Sequence, residues 1–210
     1  MLLSVLIPTI SERGEQFQKM SNKLYLQIKV NRFEEKVEII SIADNRTIPL
    51  SVKRNMLQKM SQGKYFMHLD DDDELTDTFL KRMVNHIESL DQNNLQDIIG
   101  FNQLAKVSGS RFIVKPHMDA GLSLIPCGNQ LNPDMTVRKD VLPEFYRYPW
   151  QFNLWNEKFK KVYRTDSDTN AREDTNWLKK VQLEHPKTMS YLDFIGHIYN
   201  FDDPDLSSCQ

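Results

Sequence analysis

Hydrophobic residues in the first half of the chain fall into short continuous runs. The runs at residues 2–7, 37–43 and 65–69 predict buried strands of a parallel sheet, and Pro8 is expected to end the first of them. Polar residues follow each run, and after the third they are four consecutive aspartates, Asp70 to Asp73. This pattern predicts strands whose carboxyl ends carry polar side chains.

Between these runs, apolar residues recur at helical spacing. The first predicted helix carries Phe17, Met20, Leu24 and Ile28 on one face. The second is expected to begin at an N-cap Ser51, to end before Gly63, and to bury Val52, Met56, Leu57 and Met60. Thr76 is expected to cap a third helix, whose apolar face consists of Phe79, Leu80, Met83, Val84, Ile87 and Leu90.

Strands that alternate with helices predict a doubly wound α/β fold with a mostly parallel sheet. Ligands of such sheets bind beyond the carboxyl ends of the strands. Pro8 and Thr9, Asp44 and Asn45, and the aspartates at 70–73 would all lie at that edge. We therefore expect the functional site there.

The second half of the chain has a different pattern. Residues 98–107 and 111–114 predict an antiparallel hairpin around Ser108 to Ser110, and residues 116–163 predict an irregular stretch. A helix is expected over about 173–183, with Trp177, Leu178 and Val181 facing inward. An apolar segment at 191–199 and a polar tail from Asp202 complete the pattern. We find no repeat and no linker, which predicts a single domain over residues 1–210 with a smaller antiparallel region.

Composition narrows the classes of function. Hydrophobic residues make up 40% of the 210 residues, enough for one substantial core, and the net charge of -2 gives no strong nucleic-acid or anionic-membrane signal. Cys127 and Cys209 do not have metal-ligand or redox spacing. The apolar run at residues 2–10 is too short to span a membrane and lacks the features of a signal peptide. We expect a soluble, cytoplasmic protein without a membrane span.

The four aspartates are the strongest chemical signal. Each pair of carboxylates about 5 Å apart repels by roughly 3 kcal/mol at an effective dielectric of about 20, so a cation or solvent must offset the charge. If the strand continued through them, Asp70 and Asp72 would share one face and could bind Mg²⁺ or Mn²⁺. The alternative is a solvated turn in which Asp73 or Thr76 caps the next helix. An EF-hand is excluded, because Leu75 and Lys81 occupy its required glycine and glutamate positions.

Five segments in order resemble glycosyltransferase family 2, whose members have the GT-A fold. They are residues 4–9 (SVLIPT), 40–45 (ISIADN), 53–55 (KRN), 63–73 (GKYFMHLDDDD) and 172–174 (RED). The resemblance implies metal-dependent transfer of a sugar from a nucleotide-sugar, expected to be a UDP-sugar, to a glycan, protein or other hydroxyl acceptor. It also implies inversion of the anomeric centre. Residues 1–100 would form the nucleotide-sugar-binding half and residues 101–210 the acceptor-side half.

The resemblance also implies roles for individual residues. Thr9 and Asp44 would line the base pocket, Arg54 would lie near the uridine or its phosphates, and Asp70 and Asp71 would lie near the ribose. Asp72 matches the metal ligand of the family's Asp-X-Asp element, with Asp70 as a second ligand, for Mn²⁺ or Mg²⁺. Asp174 matches the general base, and His197 is a candidate late metal or phosphate contact.

Local chemistry offers other interpretations of three of these residues. Asp174 lies at a predicted helix start, where the helix dipole favours an acid. His197 lies in an apolar segment and would be a hydrogen-bonded core histidine, and Arg54 would be a solvated helix residue. Two other functions also remain open: a sugar-nucleotide nucleotidyltransferase, and a non-catalytic module that binds nucleotide-sugars. A glycosidase is disfavoured, because its carboxylate pair does not need a metal-sized acidic run.

Overall fold

Ten strands form one sheet in the computed structural model of the protein, which describes residues 1–127, 142–165 and 173–200. The strands are β1 (Leu3–Ile10), β2 (Val37–Asp44), β3 (Tyr65–His68), β4 (Glu74–Leu75), β5 (Ile98–Val107), β6 (Ser110–Pro116), β7 (Ile125–Pro126), β8 (Glu144–Arg147), β9 (Leu154–Asn156) and β10 (Met189–Asn200). The helices are α1 (Gly14–Asn31), α2 (Leu50–Met60), α3 (Phe79–Ser89) and α4 (Glu173–Leu183).

The sheet is mostly parallel at its centre, as predicted. Its strand order is β2-β1-β3-β9-β5-β6-β8-β7, and β10 pairs with β5 and with β4. β1 runs parallel to β2 and β3, and β10 runs parallel to β5. Antiparallel pairing joins β9 to β3 and β5, and β5 to β6. The predicted α/β fold, with a mostly parallel sheet and a smaller antiparallel region, is therefore confirmed.

Helices cover both faces of the sheet, as a doubly wound fold requires. On one face, Met20 and Leu24 of α1 and Phe79 of α3 pack in a core with Val5. On the other face, the second core contains Leu57 of α2, Trp177 of α4 and the sheet residues Leu6, Phe66 and Trp155. The odd and even residues of β1 therefore contribute to different cores, and this explains why its sequence is continuously apolar.

The first strand does not end at Pro8, contrary to the expectation. It continues to Ile10, paired with β2 up to Asp44. Leu69 donates its N–H to the carbonyl of Leu6 at 3.0 Å, so the even residues of β1 direct their main-chain groups toward β3. The pairing of β1 with β3 ends at Leu6. Proline has no main-chain N–H, but at position 8 an N–H would have no partner on β3, so Pro8 costs the sheet no hydrogen bond.

The second helix buries a different face from the one predicted, although Leu57 is buried as expected. α2 begins at Leu50, with Pro49 rather than Ser51 at the N-cap position. Met56 and Met60, expected in the core, are 41% and 52% exposed. The buried residues are instead mostly polar: Ser51, Lys53, Arg54, Asn55, Leu57 and Gln58. Methionines at helical spacing were therefore misleading, because this helix faces a polar site rather than an apolar core.

Thr76 does not cap the third helix, since α3 begins at Phe79 and its N-cap position is Thr78. Thr76 instead binds β10: its N–H donates to the carbonyl of Gly196 at 3.0 Å and its hydroxyl to that of Ile195 at 3.1 Å. The apolar face of α3 is buried as predicted.

The second half contains the predicted hairpin, β5 and β6, and the predicted helix α4 with its buried Trp177, Leu178 and Val181. The stretch expected to be irregular contains β9, which lies between β3 and β5 in the middle of the sheet. Cys127 is buried, whereas Cys209 and the tail from Asp202 lie outside the described residues. Among the described helices, none combines the length and apolar character needed to cross a membrane.

Candidate active site

The structure brings together the three strand ends that the sequence singled out. The Thr9 hydroxyl at the end of β1 donates to Oδ2 of Asp71 at 2.7 Å. Lys53 of α2 donates both to the Thr9 carbonyl at 2.9 Å and to Oδ1 of Asp44 at 2.6 Å. β1, β2 and the residues after β3 therefore share one polar edge.

Residues Asp70 to Asp73, called the acidic turn here, form a turn rather than a continuing strand. β3 ends at His68, and the N–H of Asp73 donates to the carbonyl of Asp70 at 3.1 Å. Asp70, Asp72 and Asp73 each place a carboxylate oxygen so that the three atoms lie within 4.8 Å of one another. The predicted pair Asp70 and Asp72 is thus adjacent, but the turn rather than strand alternation brings the two together and adds Asp73.

Unbalanced negative charge marks the acidic turn. Burial, together with the carboxylates of Asp70 and Asp73, raises the pKa of Asp72 to about 8, although Arg13 opposes the shift. Burial also raises the pKa of Asp73, against the attraction of His197. Because these groups resist ionisation together, the turn is suited to a cation.

Asp71 does not belong to the cluster of three carboxylates and instead binds Thr9 and Arg13. Asp71 accepts hydrogen bonds from the Thr9 hydroxyl and, at 2.8 Å, from Nη1 of Arg13. The same arginine nitrogen lies 3.2 Å from Oδ2 of Asp72. The sequence argument did not select Arg13, which lies in a 3-10 turn at Ser11–Arg13. The available signal was its position directly after β1, at the ligand edge of the sheet.

His197 lies beside the acidic turn, on β10. Its Nε2 is 2.9 Å from Oδ2 of Asp73, and its Nδ1 is 3.0 Å from Nε2 of Gln103. Its ring stacks on that of Phe152, with the centroids 4.3 Å apart. His197 is therefore a buried, hydrogen-bonded histidine at the site, and a metal ion bound to it would have to replace one of these two contacts.

Asp44 is held by the protein's own donors. Its Oδ2 accepts from the N–H of Ile48 at 2.6 Å and from the Thr47 hydroxyl at 3.2 Å, and its Oδ1 accepts from Lys53. Burial opposes ionisation, but these donors prevail and lower the pKa of Asp44 to about 2. The carboxylate is thus ionised, and Oδ1 keeps one acceptor position for a ligand.

Arg54 lies between the acidic turn and α4, where it contacts Asp70 and Asp174. It is 1% exposed, so the alternative of a solvated helix residue is wrong. Nη2 donates to Oδ1 of Asp70 at 2.5 Å, while Nη1 forms ion pairs with Glu173 and Asp174. The structure therefore places Arg54 as a bridge between the carboxylates of Asp70 and Asp174.

A second buried guanidinium, that of Arg164, completes what we call the arginine network: Arg54, Arg164, Gln151, Glu173 and Asp174. Arg164 forms an ion pair with Glu173, and its Nη2 donates to Oε1 of Gln151 at 2.9 Å. His68 lies against it, and burial, Arg164 and Arg54 keep the pKa of His68 well below its usual range. No sequence pattern indicated Arg164 or Gln151, because both lie in segments without helical or strand periodicity.

Asp174 lies in the first turn of α4, as predicted. Its side chain is 26% exposed, whereas that of the neighbouring Glu173 is 1% exposed. Oδ2 accepts from Nε2 of Gln151 at 2.9 Å, and Oδ1 pairs with Arg54. Asp174 thus reaches solvent while its buried neighbours hold it in place.

Comparison with known proteins agrees with this fold. The glycosyl transferase family 2 model matches residues 25–113, less than half of the chain. No curated protein matches the sequence. S. aureus TarS 1-349 matches with a TM-score of 0.57 and 16% identity over 95% of this chain and 60% of that one. The same protein in complex with UDP-GlcNAc matches with a TM-score of 0.59 and 17% identity, over 100% and 62%.

These structures are longer than this chain, which spans about 60% of their length. At such low identity the likeness shows the fold. The family match covers the segment from α1 to β6. It includes β3 and the acidic turn, where the ordered motifs are concentrated. The chain is therefore similar to glycosyl transferase family 2 over residues 25–113, and it shares the GT-A fold with these structures.

Proposed function

We propose that this protein transfers a sugar from a nucleotide-sugar, with UDP as the leaving group, to an acceptor hydroxyl. One observation carries the proposal: three clustered carboxylates at the ligand edge are joined through Arg54 to a separate, solvent-reaching carboxylate, Asp174. Transfer needs two functions at one site, stabilisation of a diphosphate and removal of a proton. The complex of TarS with UDP-GlcNAc supports a nucleotide-sugar as donor.

The acidic turn fits a divalent metal ion. Asp70, Asp72 and Asp73 offer hard carboxylate oxygens within 4.8 Å of one another, and burial beside the charges of Asp70 and Asp73 raises the pKa of Asp72. Oxygen ligands of this kind suit Mn²⁺ or Mg²⁺. When bound, the ion would stabilise the negative charge that develops on the diphosphate.

Asp174 is proposed to accept the proton of the acceptor hydroxyl. Its ion pair with Arg54 holds Oδ1 in place, and its partial exposure leaves room for an acceptor. One base and direct attack of the acceptor would invert the anomeric centre. Arg54 would keep the base at a fixed position relative to Asp70 rather than contact the uridine, since its Nη groups already bind carboxylates.

Thr9 and Asp44 are proposed to border the base of the nucleotide. The free acceptor position on Asp44 Oδ1 would take the N3–H of uracil, whereas cytosine N3 has no proton to give. We expect UDP to bind more tightly than CDP, and Asp44→Ala to reduce that preference. Competition titrations measure it, and equal affinities in the native protein would contradict this role for Asp44.

The test of the whole proposal is a screen of nucleotide-sugars, beginning with UDP-GlcNAc. UDP release is measured with hydroxyl acceptors and without them, in Mn²⁺ and in EDTA. Acceptor-dependent release that EDTA abolishes is the expected result. Tight UDP binding without turnover of any donor would instead favour the non-catalytic binding module. Release of pyrophosphate from a nucleoside triphosphate and a sugar phosphate would favour the nucleotidyltransferase.

A further inference from the structure

Gln151 is fixed in place by its own main chain. It lies in a tight turn, in which the N–H of Asn153 donates to the carbonyl of Trp150 at 2.9 Å. Oδ1 of Asn153 accepts from the N–H of Trp150, also at 2.9 Å. The carbonyl of Gln151 accepts from the N–H of His68 at 3.1 Å, which ties the turn to the end of β3.

The orientation of the Gln151 amide is also determined. Oε1 accepts from Nη1 of Arg54 at 2.8 Å and from Nη2 of Arg164 at 2.9 Å. A guanidinium can only donate hydrogen bonds, so the amide oxygen must face both arginines and the NH₂ group must face away from them. On that side Nε2 donates to Oδ2 of Asp174 at 2.9 Å. The side chain is 4% exposed, and water therefore offers little competition.

We infer that Gln151 is a positioning residue, which orients the Asp174 carboxylate for proton transfer. The inference rests on the proposed function, in which Asp174 is the base. Arg54 holds Oδ1 of Asp174 and Gln151 holds Oδ2, so together they determine the rotation of the carboxylate. Without Gln151, Oδ2 loses its donor, and the carboxylate can turn toward Arg164, whose Nη2 already lies 3.8 Å from Oδ1.

Misplacement of a base by about 1 Å can cost on the order of 10²-fold in rate. Gln151 should therefore affect turnover far more than donor binding. It contacts none of Asp70, Asp72 or Asp73 through its side chain, so the proposed metal and nucleotide contacts do not depend on it directly.

Gln58 provides a matched control. It is 1% exposed, and its Oε1 accepts from Nη1 of Arg164 at 2.8 Å. Its Nε2 donates to the carbonyls of Lys160 and Val162, at 3.3 and 3.1 Å, rather than to Asp174. Gln58 is thus an equally buried amide that binds the same arginine without touching the base.

The experiment measures kcat, UDP affinity and the thermal midpoint for Gln151→Met, Gln151→Glu, Gln58→Met and Asp174→Asn. The substrates are the donor and acceptor found in the screen. We expect both Gln151 variants to lower kcat about 30- to 100-fold and to change UDP affinity less than about threefold. Gln58→Met should lower the thermal midpoint but keep kcat within about threefold. In the Asp174→Asn background, Gln151→Met should cause no further loss, because the two residues act as a unit.

Each contrary result has a distinct meaning. A native kcat in Gln151→Met beside an impaired Asp174→Asn would overturn the positioning role and leave the proposed function standing. A native kcat in Asp174→Asn would overturn the base assignment, and the inference with it. Equal losses of kcat in Gln58→Met and Gln151→Met would reduce Gln151 to general structural support. If Gln151→Met does not fold, Gln151→Glu decides, because it keeps an acceptor for both guanidinium groups and replaces the donor to Asp174 by a carboxylate oxygen.

Discussion

The acidic turn and the arginine network meet where Arg54 binds Asp70, and the carboxylates of the two regions are neutralised differently. In the acidic turn, Arg13 is the basic residue that pairs with Asp71 and Asp72, and the pKa of Asp72 rises to about 8. In the arginine network, two buried guanidinium groups contact Glu173 and Asp174. The comparison indicates that the network neutralises its charge within the chain, and it agrees with our proposal that the turn takes a cation from outside.

The most direct test of this difference is to remove one carboxylate from each region. Asp174→Asn should lower kcat by about 10²- to 10⁴-fold and leave UDP affinity nearly unchanged, because only the proton acceptor is lost. Asp72→Ala should largely abolish the effect of Mn²⁺ on UDP binding, because one of the clustered oxygens is lost. Calorimetric UDP titrations in Mn²⁺ and EDTA, beside single-turnover rates, measure both. Identical profiles for the two variants would show that the regions do not differ in role.

The second prediction concerns folding stability. Arg164→Met removes one of the two ion-pair partners of the buried Glu173 and leaves only Arg54, and we expect the free energy of unfolding to fall by about 3–5 kcal/mol. The control is Lys23→Met, which removes a salt bridge to Glu74 whose side chains are 43% and 44% exposed, and it should cost at most about 1 kcal/mol. Urea denaturation of both variants measures the difference. Similar losses of unfolding free energy in the two variants would mean that the buried charges of the arginine network stabilise the fold no more than an exposed salt bridge does.

The smallest expected effect is the pH dependence of metal binding in the acidic turn. Because the pKa of Asp72 is raised to about 8, this group is mostly protonated at pH 7 in the metal-free protein and ionised at pH 9. A cation binds the ionised form, so Mn²⁺ affinity should rise about tenfold between these pH values, with release of close to one proton at pH 7. Calorimetry in two buffers of different ionisation enthalpy measures the proton release. A pH-independent affinity would show that Asp72 does not bind the ion.

Sequence patterns predicted the first half of the fold well because its strands and helices follow each other locally. They failed where a remote element decides the environment. α2 buries Arg54 and exposes Met56 because α4 and the segment at Arg164 pack against its polar face, which no local pattern reveals. β9 is only three residues long, too short for a periodic signal, yet it joins β3 to β5.

At the site too, sequence patterns predicted what depends on local order and missed what depends on remote segments. The strand ends at Thr9, Asp44 and Asp70 were predictable, since parallel topology alone brings them to one edge. The roles of the surrounding residues were not, because they depend on which hydrogen bonds are already made. Both nitrogens of His197 and both oxygens of Asp174 have partners from segments distant in sequence. Those contacts become visible only with the tertiary structure.

The pairing of β4 with β10 has a consequence for folding kinetics. β4 directly follows the acidic turn and its Leu75 lies opposite His197, so a contact across more than a hundred residues closes the site. Chain segments this far apart meet slowly, since the loop entropy must be lost before any contact compensates. We therefore expect β10 to pack against the acidic turn only late in folding, after most of the core has formed. Pulsed hydrogen exchange at the N–H of Thr76, which is bonded to Gly196, would report when that step occurs.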